Sequence, residues 1–162
     1  MVKVLTALIE GDIALIPFDK PTDYDYLVSL AQGYKWNKLN REQMYELIKN
    51  YGRYFWKSYY KDQLYGVGYI CFNVDLNVWT IDLYRDDRLC KAIARKADLT
   101  YRPGVMLIKH IFETTDIDRL YGITDSQNRA LLKVGKRLGF KFCREIKTMF
   151  GNFTMIVKDR ED

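Results

Sequence analysis

Asp82 is the side chain best placed by its sequence context to transfer protons. It lies in Val78–Tyr84, a segment rich in β-branched and aromatic residues that predicts a strand. Because strand side chains alternate between the two faces of a sheet, Thr80, Asp82 and Tyr84 share one face. A carboxylate held there could act as a general base toward a substrate. The alternative is an exposed carboxylate that pairs with a neighbouring lysine or arginine.

Three hydroxyl groups are candidates for the acid that would complement this base. Ser126 follows a predicted strand over Leu120–Thr124, and its alternative role is to cap the helix that comes next. Tyr84 and Tyr121 lie within predicted strands, where they could equally be packing aromatics. We therefore expect Asp82, Ser126 and Tyr84 to form the catalytic set, with Tyr121 as an alternative acid.

The composition excludes several kinds of site. The chain has 162 residues, a formal net charge of +5, one histidine and three cysteines. A lone imidazole cannot build a multi-histidine metal centre and no C-x-x-C pair is present, so no metal site is expected. His110 is interpreted as a structural or surface residue. No apolar run approaches the roughly 18 residues of a membrane span, and the sparse, odd cysteine count is typical of a reducing cytoplasm.

One α+β domain over residues 1–162 is predicted, since no linker, repeat or low-complexity tract divides the chain. Thr22 is predicted to cap a first helix, and Asn40, with Gln43 three residues later, a second. Strands surround these helices, and a three-stranded meander follows them. The strands are predicted over Val2–Leu5, Ile13–Phe18, Tyr54–Tyr60, Tyr65–Val74 and Val78–Tyr84.

The second half of the chain alternates helices with strands. Residues 86–100 have helical character, and a helix over Gly104–Thr114 follows Pro103. Another amphipathic helix over Asn128–Leu138 ends at Gly139, the residue type favoured just past a helix C-terminus. The remaining strands are predicted over Leu120–Thr124, Phe140–Ile146 and Phe153–Lys158.

The segment from Thr124 to Phe140 carries the most specific pattern in the chain. An asparagine follows a strand, apolar residues recur along the next helix, and Leu-Gly-Phe closes it. The matching positions are Asn128, Leu131, Val134, Leu138, Gly139 and Phe140. This pattern and the order of elements resemble the Gcn5-related N-acetyltransferase (GNAT) superfamily, in particular its compact phage-encoded members. The resemblance implies a mixed, mostly antiparallel sheet of about six or seven strands with helices on both faces.

The resemblance also implies acetyl-CoA as the cofactor. In this family the fourth and fifth strands splay apart around the cofactor, here between Val78–Tyr84 and Leu120–Thr124. The pyrophosphate rests on amides at the start of the third helix, where the positive end of the helix dipole favours anions. Asn128 would contact the cofactor arm or cap its own helix. The implied cofactor-binding residues are Arg102, Gly104, Val105, Met106, Asn128, Arg129 and Lys133.

Two departures from the family pattern concern cofactor binding and catalysis. The phosphate loop reads Arg102-Pro103-Gly104-Val105-Met106, with a single glycine. It follows an insertion of roughly 15 residues, and Pro103 lacks an amide donor. The position of the family's usual tyrosine acid is Gly135. The ribosomal-protein acetyltransferase branch also lacks that tyrosine, so its absence weakens catalysis without excluding it.

The resemblance therefore implies an acetyl-CoA-dependent N-acetyltransferase whose acceptor is an amine of a protein or a small molecule. Its expected location is the cytoplasm, that of the host if the chain is phage-encoded. The alternative is a binding protein on the same fold that has lost catalysis. It would act through a protein partner or as a homodimer, in phage assembly or host interference.

Two surface features bear on that alternative. Arg129, Lys133, Lys136 and Arg137 form a basic stripe that could meet the cofactor's phosphates, an acidic partner or solvent alone. An aromatic block with interleaved lysines is similar to stacking platforms for single-stranded nucleic acid. Cross-strand packing, a substrate cleft or an interface explains it as well, so nucleic acid is the less favoured partner. The block comprises Tyr51, Tyr54, Phe55, Trp56, Lys57, Tyr59, Tyr60, Lys61, Tyr65 and Tyr69.

Overall fold

The computed structural model describes residues 3–35, 37–87 and 97–161. Its strands are β1 Leu8–Glu10, β2 Ile13–Pro17, β3 Gly52–Tyr60, β4 Gln63–Asn73, β5 Val78–Arg85, β6 Arg119–Asp125, β7 Lys141–Thr148 and β8 Gly151–Asp159. Its helices are α1 Thr22–Gln32, α2 Arg41–Tyr51, α3 Tyr101–Thr114 and α4 Arg129–Arg137. Among these described helices, none has the length and apolar character needed to cross a membrane.

A single sheet of eight strands runs in the order β1-β2-β3-β4-β5-β6-β8-β7. All neighbours are antiparallel except β5 and β6, which confirms the predicted mixed, mostly antiparallel sheet. The strand predicted over Val2–Leu5 does not form in its described part, residues 3–5. The edge strand is Leu8–Glu10, because the turn at Gly11, with φ of +61°, folds it directly onto Ile13–Leu15. With this edge strand the sheet has eight strands, where the resemblance implies about six or seven.

Helices cover both faces of the sheet, as predicted. On one face, α1 and α2 bury Leu27, Met44 and Ile48 against Phe55 and Val67 of the central strands. On the opposite face, α3 packs against a second apolar cluster. Its buried members from α3 and the sheet include Leu107, Ile111, Trp56, Ile70, Ile13 and Leu15.

Two of the three predicted helix ends are confirmed. The Asn40 side chain accepts from the Gln43 amide at 2.8 Å, and the Gln43 side chain accepts from the Asn40 amide at 2.9 Å, forming a capping box. Gly139 follows α4 with φ of +95°, a left-handed conformation that favours glycine. Thr22 does not cap α1. Pro21 occupies that position, without a side-chain hydrogen bond.

Helix α3 begins three residues before the predicted Gly104. Pro103 is therefore inside the first turn, where helix amides lack an intrahelical acceptor and a missing N–H is tolerated. His110 of α3 is structural, since its Nε2 lies 2.5 Å from the Val4 carbonyl oxygen and its ring meets Trp56 edge-on. Most of the helical segment predicted over residues 86–100 lies outside the described residues.

The aromatic block belongs largely to the core. Phe55, Trp56, Tyr65 and Tyr69 are buried in the two apolar clusters. Lys57, which the sequence suggested as a surface partner of these rings, is also buried. Cross-strand and core packing thus account for these aromatics, which are not displayed as a stacking surface.

Lys57 ties the start of α1 to the middle of the sheet. Its Nζ lies 3.0 Å from Asp19 Oδ1 and 3.3 Å from Asp23 Oδ2. Burial acts to lower the pKa of Lys57, but hydrogen bonds to Asp19 and Asp23 outweigh it and the pKa is raised. Asp23 also accepts hydrogen bonds from the Asp19 and Lys20 amides, at 2.9 and 3.2 Å. One buried carboxylate is therefore the acceptor for both the lysine and the backbone that leads into α1.

We expect Asp23→Asn to destabilise the fold by about 3 kcal/mol, because it leaves the buried Lys57 with one exposed partner. The matched control is Asp25→Asn, which removes an exposed pair with Arg41 at 3.5 Å and should cost less than about 0.5 kcal/mol. Urea unfolding at pH 7 measures both. Equal unfolding midpoints for the two variants would contradict the role of Asp23 as the buried partner of Lys57.

Candidate active site

The candidate site is a cleft that opens where β5 and β6 separate. The two strands run parallel and share one register pair, Thr80 opposite Tyr121. Their other edges are fully engaged, β5 with β4 and β6 with β8. Beyond this pair the facing edges diverge and bound a cleft of about 340 Å³. This is the splay expected for these two segments.

Both faces of the sheet contribute to the cleft. Leu83 faces the α3 side, whereas Asp82 and Tyr84 face the side of α1 and α2. Helix α4 lines one end with Leu131, Val134 and Gly135, and α2 lines the other with Leu47, Ile48 and Tyr51. The opening therefore passes through the sheet, so that two ligands could meet in it from opposite faces.

Asp82 is half-buried on the cleft wall. Burial raises the pKa of Asp82 from 3.8 to about 6, while hydrogen bonds from the Cys71 thiol and the Thr80 hydroxyl act to lower it. Among the described residues, the groups that shift this pKa include no lysine or arginine. Asp82 is thus a desolvated carboxylate, which is ionised at neutral pH and basic enough to accept a proton. It is not the exposed, cation-paired carboxylate of the alternative interpretation.

Tyr84 lies on the same face, two residues along β5. Its ring is stacked with Tyr69, at 6.0 Å between centroids, and meets Tyr34 edge-on at 5.0 Å. Burial and the nearby charge of Asp82 raise the pKa of Tyr84 well above its ordinary value. The hydroxyl therefore keeps its proton at neutral pH and is available as a donor beside Asp82. The shared face that strand alternation predicted for these residues is confirmed.

The other two hydroxyl candidates are not on the cleft wall. The Ser126 hydroxyl donates to Glu145 Oε2 at 2.7 Å and lies 2.8 Å from Thr154 Oγ1, so it belongs to a cluster with β7 and β8. Tyr121 is half-buried at the single β5–β6 pair. The structure thus brings Tyr84, and neither Ser126 nor Tyr121, together with Asp82 in the cleft.

The residues of the expected phosphate loop are also absent from the cleft wall. Arg102 donates to Asp12 Oδ1 at 3.0 Å and to the Ala97 carbonyl at 3.2 Å, which directs it toward the β1–β2 turn. Val105 is exposed and Met106 lies in the apolar core. Gly104 has a packing role, because a Cβ there would stand 3.0 Å from Leu138 Cδ1.

The first-turn amides of α3 are likewise engaged within the chain. The Arg102 amide donates to Asp98 O at 3.0 Å, and the Gly104 amide donates to Thr100 O at 3.2 Å. Pro103 between them has no amide hydrogen. In this geometry the start of α3 offers fewer donors to a phosphate than the resemblance implies.

Helix α4 combines a cleft-facing side with an exposed basic side. Asn128 lines the cleft and caps α4, with its side chain accepting from the Leu131 amide at 3.2 Å. Arg129 and Lys133 are exposed on the helix. Arg137 forms a bidentate salt bridge with Asp98, at 3.0 Å for each of the two contacts. The basic stripe is therefore partly surface and partly an anchor for α4.

Gly135 lets α4 approach the sheet. A Cβ at this position would lie 2.6 Å from Ile156 Cδ1, and a Cβ at Gly122 of β6 would lie 3.0 Å from Ile156 Cγ1. A tyrosine at 135 would therefore have to displace Ile156. The residue that replaces the family's usual acid thus has a packing reason to be glycine.

Cys71 and Tyr34 are site residues that the sequence did not single out, and Tyr69 was named only as part of the aromatic block. The signal for Cys71 and Tyr69 is the short connection between the predicted strands Tyr65–Val74 and Val78–Tyr84, because it sets the register of β4 against β5. In that register Cys71 is opposite Thr80 and Tyr69 is opposite Asp82. Tyr34 follows α1 and reaches the site through tertiary packing alone, so no local pattern indicates it.

The chain was compared with known proteins at the levels of sequence and fold. No family model and no curated protein matches the sequence. Solved structures do match the fold. An acetyltransferase of the GNAT family from Bacillus anthracis superposes with a TM-score of 0.68 at 10% identity, covering 97% of this chain and 100% of its own. The chain has the GNAT fold.

Two further neighbours extend this likeness. An acetyl transferase from Salmonella typhimurium that modifies the N-terminal serine of ribosomal protein L7/L12 has a TM-score of 0.68, with 13% identity and coverage of 93% and 96%. RimL, a ribosomal L7/L12 alpha-N-protein acetyltransferase solved with coenzyme A, has a TM-score of 0.67, with 14% identity and coverage of 94% and 96%. The predicted fold class is thus confirmed.

The raised pKa of Asp82 has a consequence for stability that can be measured. Between pH 3.8 and about 6 the folded chain binds more protons at this site than the unfolded chain, so this site's contribution to stability falls as pH rises through that window. We expect Asp82→Asn to raise the free energy of unfolding at pH 8, by up to about 3 kcal/mol, and to have little effect near pH 4.

Thermal unfolding at the two pH values measures this difference. Asp116→Asn is the control, since Asp116 is exposed and away from the cleft wall. It should change the melting temperature equally at both pH values. A loss of stability in Asp82→Asn at pH 8 would show that the carboxylate is satisfied rather than desolvated.

Proposed function

We propose that this chain is an acetyl-CoA-dependent N-acetyltransferase that acts on an amine. The observation that carries the proposal is the cleft between the diverging β5 and β6, with the desolvated carboxylate of Asp82 on its wall. The coenzyme A bound by RimL and the N-terminal serine modified by the Salmonella typhimurium relative support it, because both belong to neighbours of the same fold.

The cleft residues fit the thioester-bearing arm of acetyl-CoA. Beyond Thr80, the edge of β5 that faces β6 has no strand partner there. Its backbone amide and carbonyl groups can therefore hydrogen-bond an amide-containing arm. Leu131 and Val134 of α4 offer an apolar wall, and Asn128 lies at its start. When bound, acetyl-CoA supplies an activated acyl group, whose C–S bond is exchanged for a bond to the acceptor nitrogen.

Asp82 is proposed as the general base and Tyr84 as the general acid. An amine attacks only after its ammonium form has lost a proton, and Asp82 can take that proton directly or through water. A pKa near 6 leaves Asp82 mostly ionised at neutral pH. Tyr84 is protonated at neutral pH and lines the same cleft, so it could donate its proton to the thiolate that departs from the cofactor. Ser126 is the less suitable acid, since its proton is held by Glu145.

For the phosphate end of the cofactor we propose the exposed basic side of α4, through Arg129 and Lys133. Both lie beside the cleft-lining Asn128 and Leu131. Arg102, Gly104, Val105 and Met106 stay a weaker proposal, because the structure directs Arg102 to Asp12 and uses the neighbouring amides internally.

The engaged start of α3 favours a second candidate, a GNAT-fold binding protein without catalysis. Such a protein would keep the cleft but bind acetyl-CoA weakly or not at all.

Calorimetric titration with acetyl-CoA separates the two candidates. We expect binding at micromolar to submillimolar concentration, weakened about tenfold in Arg129→Ala/Lys133→Ala. The control is Lys147→Ala, an exposed lysine of β7 that does not line the cleft, which should leave the affinity unchanged. No binding at millimolar acetyl-CoA would contradict the enzyme proposal.

The pH dependence of turnover tests the base. With its pKa near 6, Asp82 must be deprotonated to act, so kcat/KM should rise with pH and level off above about pH 7. Asp82→Asn should lower kcat by about 100-fold or more and remove this inflection, with the affinity for acetyl-CoA unchanged. Release of free thiol from acetyl-CoA measures the rate. An unchanged rate in Asp82→Asn would remove Asp82 from the mechanism.

A further inference from the structure

The charged side chains described at the α2 end of the cleft are all acidic. Asp82 lies on its wall, and Asp75, just after β4, lies at its rim. Among the described residues that line the cleft there is no lysine, arginine or histidine. An anionic group bound here would be desolvated beside two carboxylates without a counter-charge, whereas a cation would find partners.

The same end of the cleft is lined by aromatic rings. Tyr34 and Tyr84 form an edge-on pair, and Tyr69 stacks behind Tyr84. Tyr51 of α2 donates a hydrogen bond to Asp75 Oδ2 at 3.4 Å, which ties the rim carboxylate to a ring. Aromatic side chains beside carboxylates suit an apolar or aromatic body that bears an ammonium group, through packing and cation–π attraction.

We infer that the acceptor is a primary amine cation on an aromatic or apolar body, with no carboxylate or phosphate beside the amine. In this inference Asp75 favours binding of the positively charged amine and disfavours acceptors that carry an anionic group. The inference rests on the proposed acetyltransferase function and adds the substrate class. Asp82 has the catalytic role in that proposal, whereas Asp75 acts on binding from the rim. A free arylalkylamine and the N-terminus of a peptide that begins with an aromatic residue share this chemistry.

Three probes with the same ring separate the possibilities. Phenethylamine has the amine alone, phenylalaninamide represents a peptide N-terminus, and phenylalanine adds a carboxylate next to the amine. With acetyl-CoA present, we expect phenethylamine or phenylalaninamide, or both, to be acetylated with kcat/KM at least about tenfold above that of phenylalanine. Activity confined to phenethylamine assigns a small-molecule acceptor, and a preference for phenylalaninamide assigns a peptide.

Asp75→Asn tests the selecting residue. We expect it to raise the KM for the preferred amine about three- to tenfold, with little change in kcat, and to reduce the discrimination against phenylalanine. Titration of the amine into the protein without acetyl-CoA provides a readout besides activity, and Asp75→Asn should weaken that binding by the same factor. Asp116→Asn, an exposed aspartate away from the cleft wall, should change neither quantity.

Two outcomes would overturn the inference without affecting the proposed function. The first is acetyl-CoA binding accompanied by a preference for phenylalanine, or for an amino sugar phosphate, over both other probes. The second is acetyl-CoA binding with neither acetylation nor binding of phenethylamine or phenylalaninamide at millimolar concentration. Absence of acetyl-CoA binding is a different failure, since it removes the proposed function and the inference together.

Discussion

The single register pair between β5 and β6 is the constraint on which the site depends. Antiparallel pairing joins β1 to β5 without a break, and β6, β8 and β7 form a second paired unit. If β5 and β6 paired along their whole length, the sheet would close and no cleft would pass through it. The close packing of Gly122 and Gly135 on Ile156 holds α4 against the second unit, where it lines the opening.

The opening also explains the chemistry of Asp82. A carboxylate on a fully paired central strand would be buried by the neighbouring strand, and one at a sheet edge would be hydrated. Asp82 is instead screened by Tyr69 and Tyr84 while it still borders the cleft. Burial raises its pKa and the hydrogen bonds from Cys71 and Thr80 limit the rise. The ionised form is therefore retained at neutral pH at some cost in stability, as is common for groups that transfer protons.

How much of this could be read from the sequence depends on the range of the interactions. Strand alternation and the α4 pattern are local, and they predicted the shared face of Asp82 and Tyr84 and the fold class. The partner of Arg102 is Asp12, 90 residues away in the chain, and the partner of Ser126 is Glu145, on another strand. Local patterns contain no information about such pairs. Arg102 and Ser126 were therefore expected to serve the ligand, although tertiary partners engage both.

The charges along the cleft would orient the two ligands of the proposed reaction. The basic residues Arg129 and Lys133 accompany the α4 end, while Asp75 and Asp82 occupy the α2 end. An anionic cofactor and a cationic acceptor would thus each be attracted to its own end and repelled from the other. The net charge of +5 conceals this separation, because it sums a basic surface and an acidic cleft. Local placement of charge, rather than the total, is what would distinguish the two ligands.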